Sequence, residues 1–76
     1  MEFDKEVDAR GLSCPLPVLR LKKALFELPG GQVVRVLTSD PASVKDFEAF
    51  TRQTGHELLR RKEMPDSTFE FFIKRK

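Results

Sequence analysis

Two stretches of helical period punctuate a chain whose other apolar residues alternate. The first is entered through Pro15 and left at Pro29-Gly30-Gly31, and the second is entered through Asp40-Pro41 and left at Gly55. In the first, Val18, Leu19, Leu21, Leu25, Phe26 and Leu28 fall on one broad face when residues are set about 100° apart. Lys22 lies inside that arc. In the second, Val44, Phe47 and Phe50 share a face, with Asp40 as N-cap and Pro41 in the first helical position. Between and around them the period is two. Phe3, Val7 and Ala9 oppose Asp4, Glu6 and Asp8, while Lys5 breaks the apolar set near an edge. Gln32 to Thr38 is β-branched, with Val34 and Val36 as its core pair. His56 to Glu63 and Thr68 to Arg75 flank a turn at Met64-Pro65-Asp66-Ser67. The predicted order is βαβαββ, an α/β (α+β) two-layer sandwich with two helices on one face of a four-stranded mixed sheet. The opposite face is then open and carries Arg35, Phe72 and Lys74.

At 76 residues the chain is one domain, read here as 1–76, with a core near the minimum for independent folding. Hydrophobic residues at 39% and charged residues at 34% fit a globular domain and exclude a disordered one. With no Trp or Tyr, the seven Phe residues supply the bulk of the core. The net charge of +2 is too small to imply nucleic acid. Met1 to Asp8 lacks the apolar run of a signal peptide, and no stretch is long enough to span a membrane. A lone cysteine cannot staple a fold, so a reducing compartment, the cytoplasm, is expected.

That cysteine carries the chemistry. Cys14 sits where the first strand ends and the first helix begins, in Gly11-Leu12-Ser13-Cys14-Pro15-Leu16-Pro17. Pro15 and Pro17 are tolerated in a first turn, whose N–H groups have no partner within the helix, and they place Cys14 at the N-cap. The Leu16 N–H, and after it the Val18 N–H, then face the sulfur, since Pro17 has none. A helix N-terminus stabilises a thiolate or persulfide anion and lowers a thiol below its usual ~8.5. A carrier of sulfane sulfur needs an exposed thiol with no second thiol nearby to expel sulfide as a disulfide forms, and this chain has no second cysteine. The plain alternative is a small buried residue, since free Cys is among the most buried types.

Asp8-Ala9-Arg10-Gly11-Leu12-Ser13-Cys14-Pro15-Leu16-Pro17, with Ser39-Asp40-Pro41-Ala42 and Thr54-Gly55-His56-Glu57-Leu58-Leu59, closely resembles the TusA/SirA/YedF sulfur-carrier family, whose mark is Cys-Pro-x-Pro. The resemblance covers essentially the whole chain. It implies a two-layer α/β sandwich and a sulfurtransferase of the relay kind, with no cofactor beyond a transient persulfide on Cys14. The implied donor is a cysteine desulfurase or a rhodanese. The implied acceptor is a sulfurtransferase protein in tRNA thiolation, molybdenum-cofactor biosynthesis or oxidation of reduced sulfur compounds. The sequence departs at Ser13, where some members have a second cysteine, and at Leu16, where some tRNA-thiolation members carry Glu. It departs again at Phe47-Glu48, where members often have Ile-Pro. Leu16 is beside the sulfur, so that change bears on partner identity.

Other residues admit two readings each. Asp40 is a cap, or also a neighbour of Cys14, because parallel first and second strands bring both helix N-termini to one end of the sheet. Arg10 lends charge to the sulfur anion, or is a solvated arginine. Lys22 snorkels, or acts. His56 is structural, or titrates near neutral pH, and no partner His or Cys has the spacing for a metal. The basic residues Arg20, Lys22, Lys23, Arg35, Arg60, Arg61, Lys62, Lys74, Arg75 and Lys76 form a solvated surface or a face for an acidic partner. The main competing function is an RNA- or protein-binding regulatory module with an incidental Cys14. It has thin support, with Phe72 the one stacking aromatic expected on the open face. No direct nucleic-acid contact and no membrane contact is expected of the carrier. A thiol-redox protein would use Cys-x-x-Cys or a resolving cysteine, and the chain has neither.

Overall fold

The computed structural model describes residues 2–76; Met1, the first residue of the stretch read above for a signal peptide, lies outside them. The chain runs β1 (Lys5–Ala9), α1 (Leu16–Glu27), β2 (Val33–Thr38), α2 (Ala42–Thr54), β3 (Glu57–Glu63) and β4 (Phe69–Lys74). The predicted βαβαββ order and mixed four-stranded sheet are found. The strands lie in the order β1-β2-β4-β3. β1 and β2 are parallel, with Val7 opposite Val36. β4 is antiparallel to both β2 and β3, which sets Val36 opposite Phe71 and Val34 opposite Ile73. Among the described residues no helix is long and apolar enough to cross a membrane.

Alternation decides which sheet residues meet the helices. Ala9, Val34, Val36, Phe71 and Ile73 pack with Leu21, Ala24, Leu25 and Phe47 in one core. Phe47 and Phe71 are its centre, with ring centroids 4.6 Å apart in a tilted arrangement. Lys5 lies on edge strand β1, as expected, and reaches Glu27 at 3.2 Å.

Helix α1 corrects the predicted face. Its buried residues are Pro17, Leu21, Ala24 and Leu25, with Val18 and Leu28 packed beside them. Leu19 and Phe26 are exposed, Phe26 by 85%. The stripe 17, 21, 24, 25, 28 follows strict helical spacing, and Leu19 lies about 160° round from Leu21. The small Ala24 lets the helix sit close to the sheet, and the broad arc drawn from large apolar residues alone missed this. Lys22 is then not an intrusion into a core face, since it lies on the exposed side one turn from Phe26.

The open face is also covered more than expected. Phe3 precedes β1 and does not join the core row. It lies 6.2 Å from the Phe72 ring, with Arg35 5.8 Å over its own ring. Phe72 is on the predicted face but only 4% exposed. Arg35 bridges Glu6 at 2.9 Å and Glu70 at 2.6 Å across three strands.

A buried hydroxyl pair ties the end of β2 to the start of α2. Thr38 Oγ1 and Ser43 Oγ are 2.6 Å apart, and Ser43 Oγ donates to the Asp40 carbonyl at 2.7 Å. Ser43→Ala should leave the buried Thr38 hydroxyl without that partner and cost about 1–3 kcal/mol. Adding Thr38→Val should recover part of the loss in urea titrations. Simple additivity of the two losses would show that the hydroxyls do not act as a pair.

Candidate functional site

The sulfur is held by two loops that leave parallel neighbouring strands at the same end of the sheet. The loop after β1 turns at Gly11, whose φ of +80° is a backbone conformation that side-chain-bearing residues rarely adopt. It is pinned to the loop after β2 twice. The Gly11 N–H donates to Ser39 Oγ at 2.8 Å, and the Cys14 N–H donates to Asp40 Oδ2 at 2.9 Å. The other oxygen, Asp40 Oδ1, accepts the Ala42 N–H at 3.0 Å, while the Asp40 carbonyl accepts from Ser43. Helical backbone conformation already begins at Pro41, so Asp40 caps α2. One carboxylate thus serves both readings, capping one helix and fixing the backbone of Cys14.

Cys14 is exposed, and it opens into a shallow depression of about 260 Å³ with Pro15, Val18, Asp46, Ala49, Phe50 and Gln53. The far wall is a ridge of α2 at 46, 49, 50 and 53, spaced i, i+3, i+4, i+7. Asp46 was not singled out from the sequence. The signal was there, because this ridge flanks the core stripe through Phe47 and parallel β1 and β2 turn it towards α1.

Several sequence expectations are corrected here. Cys14 is not the N-cap of α1. Pro15 takes that position, Leu16 and Pro17 follow as the first and second helical residues, and the Cys14–Pro15 peptide is cis. The Leu16 N–H does not face the sulfur but donates to the Ser13 carbonyl at 2.9 Å. Pro17 is buried in the core, whereas Pro15 lines the depression. Arg10 is committed elsewhere. Its Nε and Nη2 grip the two oxygens of Asp8 at 2.9 Å each, which holds the Asp8 carboxyl down to about 2. The thiol itself is pushed up rather than down. The Asp46 carboxylate on the same depression is the first cause, followed by desolvation and by the negative charge of Asp40. The expected electropositive cradle is an acidic one.

His56 stacks near Phe50, with ring centroids 5.8 Å apart, and its Nδ1 accepts the Lys76 N–H at 3.1 Å. Burial and the charges of Lys76 and Arg75 lower its pKa, so the ring is neutral at pH 7. Among the described residues no group of His, Cys, Asp and Glu is arranged to hold a metal.

A sequence model described as sulfurtransferase TusA matches residues 5–75. The chain belongs to the TusA family. The sulfur carrier protein TusA of Allochromatium vinosum is 54% identical to it over 74 residues, spanning 97% of this chain and 96% of that protein. The sulfur carrier protein TusA of Pseudomonas syringae is 37% identical over 76 residues, spanning 100% of this chain and 89% of that protein. A crystal structure of a SirA-like protein from Desulfitobacterium hafniense superposes with a TM-score of 0.84 at 33% identity, over 93% of this chain and 96% of that one. The two-layer fold and the role of sulfur carrier, with donor and acceptor proteins on either side of the transfer, belong to this chain as to its family.

Proposed function

We propose that Cys14 is the carrying atom: it takes one sulfane sulfur from a donor persulfide and yields it to an acceptor thiol, so that the chain works as a relay sulfurtransferase. The observation that supports this most is an exposed sulfur, the only one from cysteine in the sequence, in an open depression wide enough for a partner's cysteine to enter. In loading, the Cys14 thiol gives up its proton and the thiolate attacks the outer sulfur of the donor R–S–SH. The donor S–S bond breaks, R–S⁻ leaves and takes up a proton, and Cys14–S–SH remains. Unloading is the same exchange with the acceptor thiolate attacking and Cys14 leaving. No net oxidation occurs, so no cofactor is required. A resting thiol kept neutral by its neighbours also resists oxidation, which follows thiolate character.

Pro15 supports the sulfur by lining its approach, and Asp40 by fixing the backbone. Leu16, exposed within the motif, is in place to meet a partner. The donor is a cysteine desulfurase or a rhodanese, and the acceptor a protein of tRNA thiolation, molybdenum-cofactor synthesis or sulfur oxidation. The competing RNA-binding reading loses its support, since Phe72 is buried with the Phe3 ring beside it and offers no stacking platform.

Incubation with a cysteine desulfurase and cysteine, followed by intact-mass analysis, should show a labile gain of one sulfur. Peptide mapping should place it on Cys14, and Cys14→Ser should show none. A wild-type chain that gains no sulfur from a desulfurase, a rhodanese with thiosulfate, or inorganic polysulfide would sink the proposal.

A further inference from the structure

The depression at Cys14 does not end at Phe50 and Gln53. The same two residues form the near wall of a second open hollow, of about 370 Å³, that continues along the helices towards the far end of the molecule. Its floor is apolar, with Phe50 and the 85%-exposed Phe26. An exposed Phe of this kind, rimmed by charge, is the composition of a protein contact surface. The rim is formed by Lys22, Arg75 and Lys76, with the neutral ring of His56 between. Among the described residues none of these three cations is in an ion pair, whereas Lys5, Arg10, Arg35 and Arg61 all are. Among the described residues no Asp or Glu side chain lines this hollow, and Asp46 is confined to the Cys14 end. The groove is therefore graded, with sulfur and carboxylate at one end, aromatic rings in the middle and cations at the other.

We propose that this groove docks an extended segment of a sulfur-exchanging partner protein, with an apolar side chain on Phe26 and Phe50 and an acidic one against Lys22, Arg75 and Lys76. The proposal rests on the relay reading of Cys14 and adds how a partner is recognised. Geometry sets the spacing. From Val18 beside the sulfur to Phe26 is eight residues of helix, about 12 Å. An extended chain covers that in about four residues. The partner's reactive cysteine thus stands about four residues from an apolar anchor, with acidic residues just beyond it. Charge complementarity of this kind selects the partner and speeds encounter.

The test uses an amidated eight-residue peptide with Ser in place of the reactive Cys, Phe four residues on and two Glu after it. It is titrated into the 76-residue protein and followed by amide chemical shifts. Shifts should concentrate at residues 22–26, 50–56 and 75–76, and binding should weaken as salt is raised. A peptide with Lys for Glu should not bind. Phe26→Ala and Lys22→Glu, both at exposed positions, should each weaken the acidic peptide by about tenfold, yet load sulfur on Cys14 from inorganic polysulfide as well as wild type. Equal binding of the acidic and basic peptides, no shifts in the groove, or displacement of the acidic peptide to other sites by a groove-bound oligouridylate would each overturn the docking proposal. Those outcomes leave polysulfide loading intact. Failure of the relay reading itself shows instead as wild type that does not load.

Discussion

Phe47→Ala should leave the chain largely unfolded near 37 °C, while Phe26→Ala should fold as well as wild type. Both are large aromatics on helices that the sequence gives an apolar face, yet the structure treats them oppositely. Phe47 is 0% exposed and meets Phe71 at 4.6 Å in the middle of the core. Truncating it removes its transfer free energy and leaves a cavity that a two-layer core cannot close, a cost of about 3–5 kcal/mol. A chain of this length has about 4–11 kcal/mol in all. With a urea slope near 1 kcal/mol per molar, the midpoint should fall by more than about 2 M. Phe26 gives up almost nothing on truncation because water already surrounds it, and its change should stay within about 0.5 kcal/mol. Equal midpoints for the two variants would contradict the assignment of α2's Phe47 to the core. The opposite order would mean that α1 is rotated about its axis.

The contrast between these two residues marks what was legible in the sequence. Element order, strand faces and the parallel pairing of β1 with β2 follow from period and punctuation. Those are local properties, and in this chain the local preferences agree with the global packing. The rotation of α1 is not local. It depends on how closely the helix approaches the sheet, which Ala24 and the buried Pro17 decide, and neither stands out by hydrophobicity. Phe3 escaped the reading for a related reason. Alternation predicts its face only if the strand extends to it, and β1 begins at Lys5. At the site, Cys14, its exposure and its proximity to Asp40 were all within reach of motif and topology. The sign of the local field was not. It was inferred from a helix terminus, whose Leu16 N–H is taken by the Ser13 carbonyl, while the Asp46 and Asp40 carboxylates act on the thiol. Arg10 would have opposed them had it faced the sulfur, but Asp8, two residues earlier on the same strand, offers a bidentate partner at hand.

Asp46→Asn is the variant that reads this field directly. The Cys14 thiol is raised above its ordinary value by the Asp46 carboxylate first, then by desolvation, then by the charge of Asp40. Removing the Asp46 charge favours the thiolate, so the pH–rate profile for alkylation by iodoacetamide should move to lower pH. At neutral pH the rate should rise. Each tenfold gain in thiolate carries a roughly threefold loss of intrinsic nucleophilicity, so the net gain is about threefold for each such step. Asp40→Asn keeps one oxygen for the Ala42 N–H but gives up the acceptor for the Cys14 N–H, and should cost about 1 kcal/mol. Its charge is the last of the causes acting on the thiol, so its profile should move in the same direction but less. Sulfur loading from inorganic polysulfide goes through the same thiolate, so in Asp46→Asn loading and alkylation should rise together. An unchanged alkylation profile in Asp46→Asn would mean that the sulfur points away from α2, and the acidic cradle would have to be given up.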